Sequence, residues 1–282
     1  MTARRLLTGL AVAALCALAP AAAAASMSYV AIGDSYTSGP GIEPYAAGAP
    51  AKCGQSERNY PHLVAKALNL ALTDVSCGGA TTSDETESQF EGQPPQDEAL
   101  SESTEVVTIG MGGNDHGLFG KLLEGCTGLD FVLKAENPAA CKKSFSAFVK
   151  QTFAEDKPEQ EAALQHIKSL APRAKVFVVG YPEIVDLPCP NFPWYEKDTL
   201  WFRNGVQKLG NKMIKEGAKA NGAMFVDTFK PSEGHNACQE TGTRWIEPVF
   251  NSLTGVPVHP NAIGEEQDAF DVELAMLKAG VR

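Results

Sequence analysis

The chain predicts an α/β fold built on a central parallel sheet with helices on both faces. Apolar, β-rich runs recur at 29–32, 106–109, 176–179 and 224–226, with a weaker one at 72–76. Helical periodicity separates them at 61–70, 159–170, 199–220 and 263–278. Strands alternating with helices leave no room for hairpins and call for crossover connections.

The first residues stand apart from that pattern. Arg4 and Arg5 precede an apolar stretch from Leu6 to about Leu18, followed by Pro20 and a run of alanines. A basic end, an apolar middle and a small-residue end make a secretory signal peptide. We expect removal of residues 1–25 and a single domain over residues 26–282, released from the cell, with Sec and twin-arginine export both open. The apolar stretch is too short to span a bilayer comfortably. No later segment is a better candidate, so no stable membrane insertion is expected.

Removing residues 1–25 also takes the formal charge from −10 to −12. A chain this acidic, with no Lys/Arg cluster, is a poor binder of nucleic acid or anionic membranes. Six cysteines remain: Cys53, Cys77, Cys126, Cys141, Cys189 and Cys238. In an exported chain an even number reads as disulfides. Fifteen pairings are open in principle; the order Cys53–Cys77, Cys126–Cys141 and Cys189–Cys238 is favoured because each closes a local loop. With no Cys-x-x-Cys and no His-x-x-x-His, no metal site is expected.

Residues 38–59, 115–150, 186–198 and 230–258 are read as long Cys-containing loops after strands, forming walls around a site. Open α/β sheets place ligands at those carboxyl ends. Apolar side chains in these loops (Phe119, Leu122, Leu123, Phe131, Phe192, Trp194 and Trp245) suit either an acyl channel or local packing.

The first strand ends in Gly33-Asp34-Ser35, which hands a hydroxyl to a turn at the sheet edge. A serine hydroxyl is a weak nucleophile and needs a base within hydrogen-bond reach and donors for an oxyanion. His259, flanked by Pro257 and Pro260 in a stiff loop, is the candidate base; His62, His116, His166 and His235 have no comparable context. Asn261 suits the N-cap of the following helix. The backbone N–H groups of Ser35 and Gly79, with the Asn114 amide, are candidate oxyanion donors. Gly79 lies in a Gly-rich turn after the second strand, and Asn114 in Gly112-Gly113-Asn114-Asp115 after the third. Asp34 is expected to shape its turn through backbone hydrogen bonds.

These blocks, in this order, resemble the secreted SGNH (GDSL-type) hydrolases, in particular the actinobacterial lipases and esterases. Gly33-Asp34-Ser35 looks like the first block, Gly79 like the second, Gly112-Gly113-Asn114-Asp115 like the third and His259 like the last. The segments Gly234-His235-Asn236-Ala237-Cys238 and Arg244-Trp245-Ile246-Glu247-Pro248 also resemble the secreted branch. The resemblance implies a flavodoxin-like three-layer α/β/α sandwich, three sequential disulfides, a monomeric enzyme acting on small-molecule or lipid esters, and hydrolysis without a cofactor. A carbohydrate acetyl esterase is the alternative, and a non-catalytic binding protein a third reading.

One position departs from the family pattern. Val256 stands where an aspartate usually lies three residues before the histidine. The expectation is that the main-chain carbonyl of Val256 accepts the Nδ1–H of His259. Asp227, at the end of the last strand, is the rival orienter.

Overall fold

The computed structural model describes residues 26–133, 139–253 and 256–282, so the leader expected over 1–25 lies outside it. Five strands form one sheet: β1 (Ser28–Gly33), β2 (Ala71–Asp74), β3 (Val106–Gly110), β4 (Lys175–Val179) and β5 (Met224–Val226). All are parallel, in the order β2-β1-β3-β4-β5. This is the doubly wound order whose switch point lies between the first and third strands.

Alternation along each strand makes the three layers. Val30, Ile32, Val107, Ile109, Val176 and Val178 face one side, where they pack on Leu164 and Ile167 of α4 (Ala140–Leu170) and Ile214 of α6 (Lys208–Ala220). Tyr29, Ala31, Val106, Phe177 and Val179 face the other side. There they meet Tyr60 and Val64 of α2 (Tyr60–Leu68) and Val272 and Met276 of α7 (Ala262–Lys278). Both faces of the inner strands β1, β3 and β4 are buried because both are covered, whereas the edge strand β2 is exposed at alternate positions.

A third core lies beyond the strand ends, holding Leu122, Val149, Ile184, Phe192, Trp194 and Phe202. Here the structure corrects the sequence reading. Residues 115–150 are largely helical: α3 (Leu118–Leu133) is followed by the first turns of the 31-residue α4. Cys126 joins these helices to one another through Cys141. Gly and Cys in this stretch suggested a loop, but apolar burial between two helices overrides that local preference. The helix expected over 199–220 is interrupted by a π segment at Arg203–Gln207 between α5 (Glu196–Phe202) and α6. Cys53 is bonded to Cys77, and Cys189 to Cys238. Among the described residues no helix is long and apolar enough to cross a membrane.

Candidate active site

The site forms where β1 and β3 end side by side, with Gly33 opposite Gly110 in the register. After Gly33 the chain turns at once into a single helical turn, α1 (Ser35–Ser38). Asp34 caps that turn, its Oδ1 accepting the backbone N–H of Tyr36 at 2.8 Å. Gly33 is required for space: a Cβ there would lie 2.1 Å from Thr37 Oγ1. Ser35 is thus held at the mouth of the sheet with its N–H at the start of a helical turn, where no intrahelical acceptor exists.

The imidazole of His259 reaches the hydroxyl of Ser35, with Nε2 to Oγ 2.7 Å. Its Nδ1 lies 3.0 Å from the carbonyl of Pro257. The Val256 carbonyl instead accepts the backbone N–H of His259 at 3.2 Å. The expected orienter is therefore off by one residue. Val258 adopts φ +67° while almost fully buried, a conformation that is an outlier for a β-branched residue. This left-handed turn brings Pro257, rather than Val256, opposite the ring nitrogen. A carbonyl can only accept, so the pairing places the ring proton on Nδ1 and leaves Nε2 to accept from Ser35.

Asp227 is exposed and accepts the backbone N–H groups of Phe229 and Lys230, both at 3.1 Å, so it caps a turn. Among the described residues no carboxylate pairs with His259. Burial pushes the imidazole pKa below its ordinary value, and the Pro257 carbonyl only partly offsets this.

The loop is fastened along its length. Val258 N–H donates to the Glu247 carbonyl at 2.7 Å, and Glu247 N–H to the His259 carbonyl at 2.9 Å. Asn261 caps α7, its Oδ1 accepting from Ile263 and Gly264. The hydroxyl of Tyr36 donates to the carbonyl of Val258.

Gly79 and Asn114 line the same cavity as Ser35 and His259. Gly79 has φ +80°, which favours a residue without a Cβ. The backbone N–H groups of Ser35 and Gly79 have no acceptor among the described residues. Asn114 Nδ2 donates to the Ala80 carbonyl at 3.1 Å; a carboxamide nitrogen carries a second hydrogen. Asp115 braces the two turns, accepting from Thr82 N at 2.7 Å and Thr82 Oγ1 at 2.5 Å.

Tyr181 was not singled out in the sequence. Its hydroxyl donates to Asp34 Oδ2 at 2.5 Å and accepts from Gly113 N at 2.8 Å, tying the first glycine turn to the third. The available signal was its place just past the carboxyl end of β4. Burial pushes Asp34 up to about 7, against the bonds from Tyr181 and Tyr36 that lower it.

The cavity has a volume of about 350 Å³. Away from Ser35 its walls include Leu118 and Phe119 of α3, Phe153 of α4, Ile184, and Phe202, Val206, Met213 and Ile214 around the π segment. Of the six described loop side chains offered for an acyl channel, Phe119 lies in this wall and the other five do not. Leu122, Phe192 and Trp194 are core, Leu123 packs against that core, and Trp245 stacks on His235. The side chain of Phe131 lies outside the described residues.

A doubly wound sheet carrying a paired hydroxyl and imidazole at its switch point, beside an apolar cavity, defines an ester hydrolase. The chain belongs to the GDSL-like lipase/acylhydrolase family, whose model matches residues 31–267. It is 38% identical over 257 residues to Lipase 2 of Streptomyces coelicolor, covering 89% of this chain and 86% of that one. Phospholipase A1 from Streptomyces albidoflavus superposes with a TM-score of 0.71 at 29% identity, covering 89% of this chain and 98% of the other. The extracellular lipase of Streptomyces rimosus gives a TM-score of 0.71 at 26% identity, over 88% and 98% of the two chains.

Proposed function

We propose that the chain is a secreted single-domain hydrolase of fatty-acyl esters that works through an acyl-enzyme on Ser35. The observation that carries this is the 2.7 Å approach of His259 Nε2 to Ser35 Oγ, beside a cavity with an apolar stretch of wall formed by Leu118, Phe119, Phe153, Ile184, Phe202 and Met213.

Ser35 Oγ attacks the ester carbonyl as His259 Nε2 takes its proton. The developing oxyanion is received by the N–H groups of Ser35 and Gly79 and by Asn114 Nδ2. The intermediate collapses, the C–O bond to the alcohol breaks, and the imidazolium protonates the leaving oxygen. Water then attacks the acyl-enzyme by the same route in reverse roles, releasing the acid and restoring Ser35. The Pro257 carbonyl keeps the proton on Nδ1 throughout but stabilises the imidazolium less than a carboxylate does. No step requires a cofactor.

The apolar wall supports an acyl chain over an acetyl group on a polysaccharide. The leader-like N-terminus and the extracellular relative support secretion. The test pairs a serine-reactive phosphonate with a chain-length series of p-nitrophenyl esters run beside a phospholipid. Labelling at Ser35 with activity on medium or long chains is expected. Activity confined to acetyl esters would select the carbohydrate-esterase alternative, and absence of labelling would leave a binding protein.

A further inference from the structure

Two residues beyond Asn114, the chain places His116 at φ 53°, against the face of α4 that carries Asp156 and Glu159. Three apart on one helix, those carboxylates are neighbours. His116 Nε2 lies 3.0 Å from Glu159 Oε2 and 3.4 Å from Asp156 Oδ1. Its Nδ1 lies 3.6 Å from Glu155 Oε2.

The imidazole does not satisfy this group. One nitrogen carries at most one hydrogen, and Nε2 has spent it on Glu159. Asp156 is 1% exposed, and neither of its carboxylate oxygens has a hydrogen-bond partner among the described residues. A buried carboxylate left in that state costs heavily. The nearby Lys121 does not answer it: its ammonium donates to the His116 carbonyl at 2.8 Å and sits over the Phe148 ring. Asp115 is bonded to Thr82.

We propose that His116, Asp156 and Glu159 bind a divalent transition cation of the zinc class, clamping the turn that carries Asn114 to α4. One donor atom from each residue lies within 4.8 Å of the other two. A tetrahedral ion with ligands 2.0–2.1 Å away needs donor–donor edges of about 3.3 Å, close to the two distances from Nε2. One imidazole and two carboxylates, with a fourth position for water, is a donor set such ions accept. His116 and Glu159 are partly exposed, which gives an ion a path from solvent. The ion supplies the charge that Asp156 lacks. Sequence spacing hid the site, because the ligands sit 40 and 43 positions from His116 rather than in a short motif. Asp156 also borders the cavity that holds Ser35 and His259, but the ion site does not rest on the acyl-transfer reading.

The second His–carboxylate cluster, Glu85, Asp97 and His166, is the internal control: His166 Nε2 pairs with Asp97 Oδ2 at 2.9 Å, and its buried carboxylate, Glu85, has one oxygen without a hydrogen-bond partner among the described residues where Asp156 has two. Chelator-treated mature protein is titrated with zinc chloride by calorimetry, and melting is followed with and without zinc. The wild type should take up an equivalent of zinc and melt higher with it. His116→Ala, Asp156→Asn and Glu159→Gln should each weaken that equivalent at least tenfold and reduce the rise in Tm, whereas His166→Ala should retain it. Glu159→Gln, at an exposed position, keeps the test readable if Asp156→Asn fails to fold. No stoichiometric zinc in the wild type, affinity unchanged in His116→Ala and Glu159→Gln, or loss in His166→Ala would overturn the proposal.

Discussion

Tyr36, the residue after Ser35, donates its hydroxyl to the carbonyl of Val258, the residue before His259. The two halves of the site are thereby tied one position away from the groups that meet. Their rings also pack, with Tyr36 and His259 centroids 5.0 Å apart. The strained Val258 is held by this bond and by its own bond to Glu247, as expected where surrounding structure maintains an unfavourable backbone.

Tyr36→Phe removes the donor and leaves the buried Val258 carbonyl without it. That is a loss of about 1–3 kcal/mol. We expect kcat to fall about tenfold with KM little changed, and the acid limb of the pH profile to move as His259 is less firmly set. An unaltered kcat would show that the Glu247 bonds suffice to hold the loop.

The pH profile of kcat/KM follows from the environment of His259. Its pKa lies below the ordinary 6.5 because burial disfavours the imidazolium. Catalysis needs the neutral ring, so activity is retained above the lowered pKa and lost as pH falls through it. The acid limb should have its midpoint under 6.5. A midpoint above 7 would reveal a carboxylate partner for His259 that the described contacts do not contain.

Asn114→Ala tests the oxyanion donor. Removing one such donor costs about 10²–10³ in kcat, and KM should barely move because the interaction strengthens only in the transition state. Equal loss in binding and turnover would instead assign Asn114 to substrate binding. Because Asn114 also bonds the Ala80 carbonyl, circular dichroism and the melting curve must show the fold intact.

Gly210 lies on α6 in the cavity wall, and a Cβ there would meet Phe153 Cζ at 3.7 Å, an ordinary contact. Gly210→Leu projects a branched side chain into the lumen. Relative kcat/KM across a series of p-nitrophenyl esters should shift toward shorter chains. Stability should not suffer from the backbone change, since glycine is a poor helix former. An unchanged chain-length profile would mean that the acyl group lies elsewhere.

The sequence determined the parallel α/β architecture and the four positions that converge. Strand and helix periodicities are local, and the motifs of Ser35, Gly79 and Asn114 follow strands, where a parallel sheet collects its turns on one side, while His259 precedes the last helix. Tertiary structure decided what those periodicities do not encode. The accepting carbonyl is Pro257, because one left-handed residue at Val258 redirects the peptide groups before His259. Much of the cavity wall comes from helices α3 to α6 and the π segment, with Ile184 and Val256 added from loops, because helix packing buried a stretch rich in glycine and cysteine. Tyr181 and the group around His116 belong to no spacing rule, since their partners are set by how helices and turns dock across the sheet end. Side-chain chemistry at that end depends on a few loop dihedrals and on long-range packing, and neither is written into a window of neighbouring residues.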